Sequence, residues 1–424
     1  MRDLTWLFHA LAVLTAVGVP LYAWRVRGRA YGIFSGVLLG LSLPGAVAME
    51  WRFSGRVGEE VAAWISLLFT AAMAATGVQL AHLVRARLRG AWFRWLVSVP
   101  GQTFVAAGFL AGLWLLALLP LRLLIGAMGW ENGLRALHWL DLAPFALCIG
   151  SLVTSVRLVP ETVRVRLGQT GPGELTRIPI ERHRRREPRP LAEETLRIVQ
   201  IADPHLGPWQ SVRQLQRTLE SLLARNPDLV LLTGDFLTME GRGSPGALAQ
   251  ALAPLRSHAG RCYAIFGNHD HEDPDEVRDA LGSNGVDLLV DEERLLATPI
   301  GRVQLIGADY RGRERKEHLQ ELLVRHPRRD GHLRLLLLHD PRTFHHVPEG
   351  DVDLTLSGHT HGGQVGLVSW GLDWTVLSRS RWPDHGLFAR GTGRLYVHRG
   401  TGFYGFPLRI GVPGEASLLE ILPG

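Results

Sequence analysis

The sequence predicts a protein in two parts: an N-terminal all-α polytopic membrane domain, then a C-terminal α/β domain whose sheets gather metal ligands. Three observations carry this. Residues 4–24, 30–49, 61–84 and 96–121 contain no Asp, Glu, Lys or Arg. Beyond residue 195, five short apolar runs each end in a residue able to bind a metal. Helix-like stretches lie between the first of those runs, and strand–helix alternation implies a mainly parallel sheet.

Each uncharged stretch is long enough to cross a hydrocarbon core of about 30 Å at about 1.5 Å per residue. Pro44 and Pro100 fit such spans, because neighbouring helices in lipid satisfy freed backbone groups. A fifth span is expected over residues 137–156, weakened at its start by Asp141 and Pro144. The alternative is a cleaved signal peptide followed by buried core helices. Four further apolar segments in succession argue against it.

Arginine placement sets the orientation. Arg25, Arg27 and Arg29 follow the first span, and Arg85, Arg87, Arg89 and Arg94 follow the third. Elsewhere Arg52 and Arg56 are offset by Glu50, Glu59 and Glu60, and Arg122 and Arg135 stand far apart. The positive-inside rule places the N-terminus outside and, with five spans, the second half in the cytoplasm of a bacterial cell. With four spans it would lie outside.

Residues 160–195 read as a linker with a possible first strand, because 162–167 alternates apolar residues with arginine. Its basic segment, 181–190, carries Arg182, Arg184, Arg185, Arg186 and Arg189. This is either a solvated run or one drawn to anionic head groups. Lys316 is the single lysine among 46 basic residues, a composition bias that makes the net charge of +6 weak evidence for nucleic acid. With no basic stripe interleaved with aromatics, no nucleic-acid partner is expected. Cys148 lies in a span and Cys262 in a predicted strand, so no disulfide is expected.

The apolar runs 196–201, 229–232, 262–266, 335–338 and 352–356 read as strands buried on both faces. Residues 212–224 and 274–281 read as helices, the first stopped by Asn226-Pro227 and the second opened by a proline. The runs lead in turn to Asp203-Pro204-His205, Gly234-Asp235, Gly267-Asn268-His269-Asp270, His339 and Gly358-His359-Thr360-His361-Gly362-Gly363-Gln364. Period-2 alternation is expected to turn Asp203 with His205, and His359 with His361, to one side.

The candidate ligands are therefore Asp203, His205, Asp235, Asn268, His339, His359 and His361. Carboxylate, imidazole and amide without thiolate suit manganese, iron or zinc better than calcium or magnesium. Seven ligands exceed what one catalytic ion with an open position takes, but they fit two divalent ions sharing a carboxylate. Asp235, alone at the end of its run, is the natural bridge. His271, His345 and His346 belong to no motif and are expected in solvated or supporting roles. The glycine-rich turn 241–246 lacks a phosphate-loop lysine and is expected as a loop at the cleft rim.

Taken together, D-x-H, G-D, G-N-H-D, a lone His and G-H-x-H resemble the motifs of the calcineurin-like metallophosphoesterases. The resemblance runs from Leu196 to the C-terminus. The GHTHGGQ string, Arg399-Gly400 and Pro407-Leu408-Arg409 resemble the bacterial membrane-associated, phosphodiesterase-like branch. One departure is Pro204, where that branch usually carries leucine; no ligand side chain is lost by it.

The resemblance implies a two-sheet β-sandwich flanked by helices over residues 196–424. It implies one metal on Asp203, His205, Asp235 and His361, and a second on Asp235, Asn268, His339 and His359. It also implies that His269 is a general acid oriented by Asp270. A membrane-anchored site favours a phosphodiester or pyrophosphate in a lipid or envelope precursor, as in the related UDP-2,3-diacylglucosamine pyrophosphatases. The alternatives are a tethered hydrolase of soluble phosphodiesters or nucleotides, and a non-catalytic metal-binding sensor or scaffold. The sequence does not set the oligomeric state.

Overall fold

The computed structural model describes residues 4–183, 194–403, 405 and 407–423. Arg184, Arg185, Arg186 and Arg189 of the basic segment lie outside the described residues. The chain divides into two compact units, Met1–Val153 with Gly405–Leu408, and Thr154–Tyr404 with Arg409–Gly424.

The first unit is helical: α1 (Leu4–Val26), α2 (Arg29–Ser54), α3 (Glu59–Leu83) and α4 (Val99–Ala127). A helical turn, Ala91–Phe93, and a π-helical stretch, Arg94–Ser98, lead into α4. The last hairpin runs from α5 (Glu131–Trp139) through a 3-10 turn into α6 (Ala143–Val156). Among the described residues, five helices are long and apolar enough to cross a membrane. Close approach of α2 and α4 requires glycine: a Cβ on Gly45 would meet the Gly108 carbonyl. The fifth candidate begins at Glu131, so Asp141 falls inside it. Its buried carboxylate lies 2.9 Å from Arg52 Nε and 3.5 Å from Arg56 Nη1, and it also pairs with Arg122. An unpaired carboxylate would be costly in lipid; this one is not unpaired.

The second unit is built on two seven-stranded sheets. The first orders β3 (Glu181–His183), β1 (Leu158–Arg166), β14 (Gly414–Leu422), β4 (Leu196–Ile201), β5 (Leu229–Leu232), β6 (Cys262–Ala264) and β7 (Val286–Leu288). The second orders β2 (Thr176–Arg177), β12 (Gly386–Arg390), β13 (Gly393–Val397), β11 (Leu354–Ser357), β10 (His332–Leu337), β9 (Gly301–Gly307) and β8 (Glu292–Thr298). Strands β4 to β7 pair in parallel, as do β9, β10, β11 and β13. Their facing sides share one core, in which Val163, Ile198, Leu231 and Ile265 cluster with Leu305, Leu335, Leu356 and Tyr396. The predicted helices appear as α7 (Val212–Leu223) and, later in the chain, Pro274–Gly282.

Sheet membership begins before residue 196. Strand β1 lies between β3 and β14, parallel to β14 in a register pairing Val163 with Leu419. Its valines 163 and 165 are buried, while Arg164 turns outward to Glu420 at 3.0 Å. Much of the expected linker is therefore structural. The expected rim loop 241–246 is helical at its start, where a short helix, Met239–Arg242, is capped by the Thr238 side chain. Cys148 and Cys262 are both free and buried.

Candidate metal centre

All seven predicted ligands converge where the parallel strands end. Asp203, His205 and His361 form one group and Asp235, His339 and His359 another, each with donor atoms within 4.8 Å of one another. Asp235 links them: its Oδ2 lies 3.6 Å from His205 Nε2 and 3.3 Å from His339 Nε2. Asn268 Oδ1 lies 3.1 Å from His339 Nε2, and His359 Nδ1 lies 3.2 Å from the same nitrogen. His205 and His361 bring their Nε2 atoms to 3.3 Å. Donors sharing one ion at bonds of about 2.0–2.2 Å stand roughly 3.0–3.5 Å apart, so the set fits two small divalent cations.

The convergence is not strand alternation. Asp203 (φ 51°), His205 (φ 44°), Asp235 (φ 60°), His359 (φ 71°) and His361 (φ 51°) all adopt left-handed backbone. Each is a non-glycine residue in a sparsely populated region, costing about 1–3 kcal/mol where the surroundings over-determine it. The expected same-side pairing is thus reached by kinks beyond the strand ends, because the carboxylates bind backbone. Asp203 accepts the His359 N–H at 3.0 Å through both oxygens. Asp235 Oδ1 accepts the His269 N–H at 2.9 Å. Gly358 is required here, since a Cβ on it would collide with the Asp203 carboxylate.

Burial and mutual contact shift the titration of these groups. Burial and neighbouring Asp235 raise the Asp203 carboxyl to about 7. Burial would lower His339, but Asp235 overcomes it and drives the imidazole up to about 10. Burial lowers His205 to about 3 and His359 to about 4, and it holds His361 well below the ordinary histidine value. Those three imidazoles are neutral, the state in which histidine binds metal. His339 Nδ1 lies 2.7 Å from the Thr233 carbonyl, which aims Nε2 into the site.

His269 stands beside this centre, its ring 5.7 Å from that of His205. Its expected partner is corrected. The Asp270 carboxylate accepts the backbone N–H groups of Gly267 and Asp235 at 2.7 Å and of Phe236 at 2.8 Å. These three donors take up both its oxygens and make it a staple between two ligand loops. The ring partner is Glu272, whose Oε1 lies 3.0 Å from His269 Nδ1. Glu272 in turn pairs with Arg242 of the rim segment.

Sequence reasoning also missed Arg409, Tyr310, Arg342 and Trp382. Buried Arg409 lies 3.3 Å from His361 Nδ1 and donates to the carbonyls of Arg399 and Gly402. The Tyr310 ring is 6.0 Å from that of His339, and Trp382 is 6.0 Å from His359, with the Arg342 guanidinium 4.3 Å over its face. Tyr310, Arg342 and Trp382 belong to no short motif; Arg409 ends the Pro407-Leu408-Arg409 string, which by itself implies no role for it. His271 is a supporting residue, bound to Asp309 at 2.9 Å.

Residues 196–363 match the family profile described as calcineurin-like phosphoesterase. The chain carries a calcineurin-like metallophosphoesterase domain. An uncharacterized metallophosphoesterase of Helicobacter pylori strain J99 is 29% identical over 236 residues, covering 54% of this chain and 61% of that protein. The metallophosphoesterase domain is also similar to phosphodiesterase YaeI of Escherichia coli K12, 29% identical over 53% of this chain and 82% of the relative. A Bos taurus transmembrane protein with metallophosphoesterase domain is 27% identical over 69% of this chain and 66% of its own length. The chain thus spans less than two thirds of the Helicobacter and bovine relatives.

Proposed function

We propose that this protein is a membrane-embedded, metal-dependent phosphoesterase that hydrolyses a phosphodiester or pyrophosphate bond in an amphiphilic, lipid-type substrate. The observation that carries the reading is the pair of ligand groups sharing Asp235, with His269 alongside. Asp203, His205, Asp235 and His361 would hold one ion, and Asp235, Asn268, His339 and His359 the second. Two divalent ions, manganese, iron or zinc, supply charge stabilisation at phosphorus and activation of water when bound.

The remaining chemistry belongs to the chain. His269 delivers a proton to the oxygen that leaves phosphorus, and Glu272 stabilises the ring while it carries that proton. Asp270 holds the Gly267 and Asp235 loops at fixed separation, which keeps His269 in reach of the leaving group. Positive-inside placement of the arginines at 25–29 and 85–94, with five spans, supports a catalytic unit on the cytoplasmic side of a bacterial membrane.

The test uses the full chain in detergent, loaded with manganese, because β1 and β3 belong to the sheet and a chain cut near residue 191 would lose them. Release of p-nitrophenol from bis-p-nitrophenyl phosphate and from p-nitrophenyl phosphate is followed side by side. Diester turnover that disappears in His269→Ala, with metal retained, supports the reading. Metal binding without turnover of either compound favours a binding or scaffold role instead.

A further inference from the structure

The connection after the histidine pair is firmly built yet apolar outside. It leaves the centre at Gln364, three residues past His361, and returns at Trp382 beside His359. Between these points the chain folds on itself: Leu367 N donates to Trp374 O at 2.8 Å, and Val376 N to Val365 O at 3.0 Å. Ser369 N donates to Gly411 O at 2.8 Å. At its base the buried Thr375 hydroxyl donates to the Asp384 carboxylate, which pairs with Arg177.

This ordered loop nevertheless shows Trp370 67%, Leu372 54%, Val376 53% and Trp374 45% exposed. Among the described residues of the second unit outside this loop, only Leu295 and Val324 are comparably exposed large apolar side chains. A cluster of this kind on an otherwise polar surface marks an interaction site. Arg379 and Arg381 follow it, both exposed and in no ion pair among the described residues, against one acid, Asp373.

We propose that this loop is an interfacial anchor: Trp370, Leu372, Trp374 and Val376 enter the head-group region of an anionic bilayer, with Arg379 and Arg381 at lipid phosphates. Indoles settle at that boundary because one end is apolar and the other donates a hydrogen bond. The two cations match an anionic surface, and the chain's own five apolar helices keep a bilayer at hand. Because the loop starts and ends at the metal centre, seating it on the bilayer brings a lipid phosphoryl group to the cleft without withdrawing the lipid into water. That consequence rests on the phosphoesterase reading; the anchor itself does not.

The experiment places a spin label at Leu372→Cys in the full chain, with Cys148→Ala and Cys262→Ala, in nanodiscs containing phosphatidylglycerol. Val324→Cys, on the helix Arg315–Arg325, is the aqueous control. Collisions with oxygen should exceed those with a water-soluble nickel chelate at residue 372, and the order should reverse at 324. A label at 372 as open to nickel as the control overturns the anchor. One shielded from both probes overturns it in favour of a protein partner or a second copy.

A second arm compares Trp370→Ser/Trp374→Ser with the parent on soluble bis-p-nitrophenyl phosphate and on a fluorescent phosphodiester lipid in vesicles. Hydrolysis of the lipid should fall about tenfold or more while soluble turnover is kept. Equal loss on both, or none on either, overturns the delivery role. Membrane depth at residue 372 with no turnover of either substrate by the parent would sink the phosphoesterase reading and leave the anchor standing.

Discussion

Replacing Asp270 by asparagine separates a backbone staple from a partner of the His269 ring. The carboxylate serves three buried N–H donors, those of Gly267, Asp235 and Phe236, at 2.7–2.8 Å. Asparagine has one carbonyl oxygen. If that oxygen takes the two donors that share Oδ2, the amide NH2 faces the Phe236 N–H. One buried donor left unpaired costs about 1–3 kcal/mol. The two remaining bonds fall from charge-assisted to neutral, about 1 kcal/mol each. The sum is about 3–5 kcal/mol, which for a domain of this size lowers Tm by roughly 6–20 °C. Glu272→Gln is the contrast. Glu272 is half-exposed, so its loss should change stability by about 1 kcal/mol or less. It removes the negative charge beside His269 Nδ1 while leaving a neutral acceptor oxygen, and should lower kcat while metal content stays unchanged. The assay is calorimetry of the full chain in detergent, with elemental analysis and diester turnover on the same samples. The reasoning is refuted if Asp270→Asn melts with the parent, or if Glu272→Gln destabilises as much as Asp270→Asn does.

Three further outcomes are expected. Asp235→Asn should lower occupancy of both ions together, by more than the about 10–100-fold typical of a supporting group, since its Oδ2 serves both ligand groups; elemental analysis finding two full equivalents would refute the bridge. Metal affinity should weaken as pH falls. His339 is held at about 10 and Asp203 at about 7, so one proton must leave before ions bind above pH 7 and a second below it, giving about a tenfold loss per pH unit that steepens below about pH 7; manganese titrations flat between roughly pH 6 and 8 would contradict this. In the helical unit, Asp141→Asn leaves Arg52, Arg56 and Arg122 without their shared counter-charge and should cost about 3–5 kcal/mol. Denaturation in detergent reads that loss, and an unchanged midpoint would show the cluster to be solvated.

The candidate metal ligands were legible because coordination admits few atoms. Carboxylate, imidazole and amide side chains at the ends of apolar runs are a local signal, and Asp203, His205, Asp235, Asn268, His339, His359 and His361 all carry it. The helical spans were legible for a similar reason, as lipid demands long uncharged stretches. Strand β1 was only partly legible: its alternation shows in residues 162–167, but its place in the sheet depends on β14, which lies at the far end of the chain. Glu272 and Trp382 carry no motif, and what distinguishes them is proximity to His269 and His359.

By itself, then, the sequence determined the partition into apolar helices and an α/β domain, and the chemical types gathered at the strand ends. Only the tertiary structure decided how those types meet. Among the five candidate ligands with left-handed backbone, His359 and Asp235 have their N–H groups held by the Asp203 and Asp270 carboxylates, and Asp203 and His205 donate to the Gly234 and Asp235 carbonyls. A residue's φ in such a place is set by contacts far off in the chain, which no local pattern encodes. The tertiary structure likewise decided that Asp270 faces the backbone and Glu272 the His269 ring, because two adjacent or nearby acids are alike in sequence and differ only in which donors surround them.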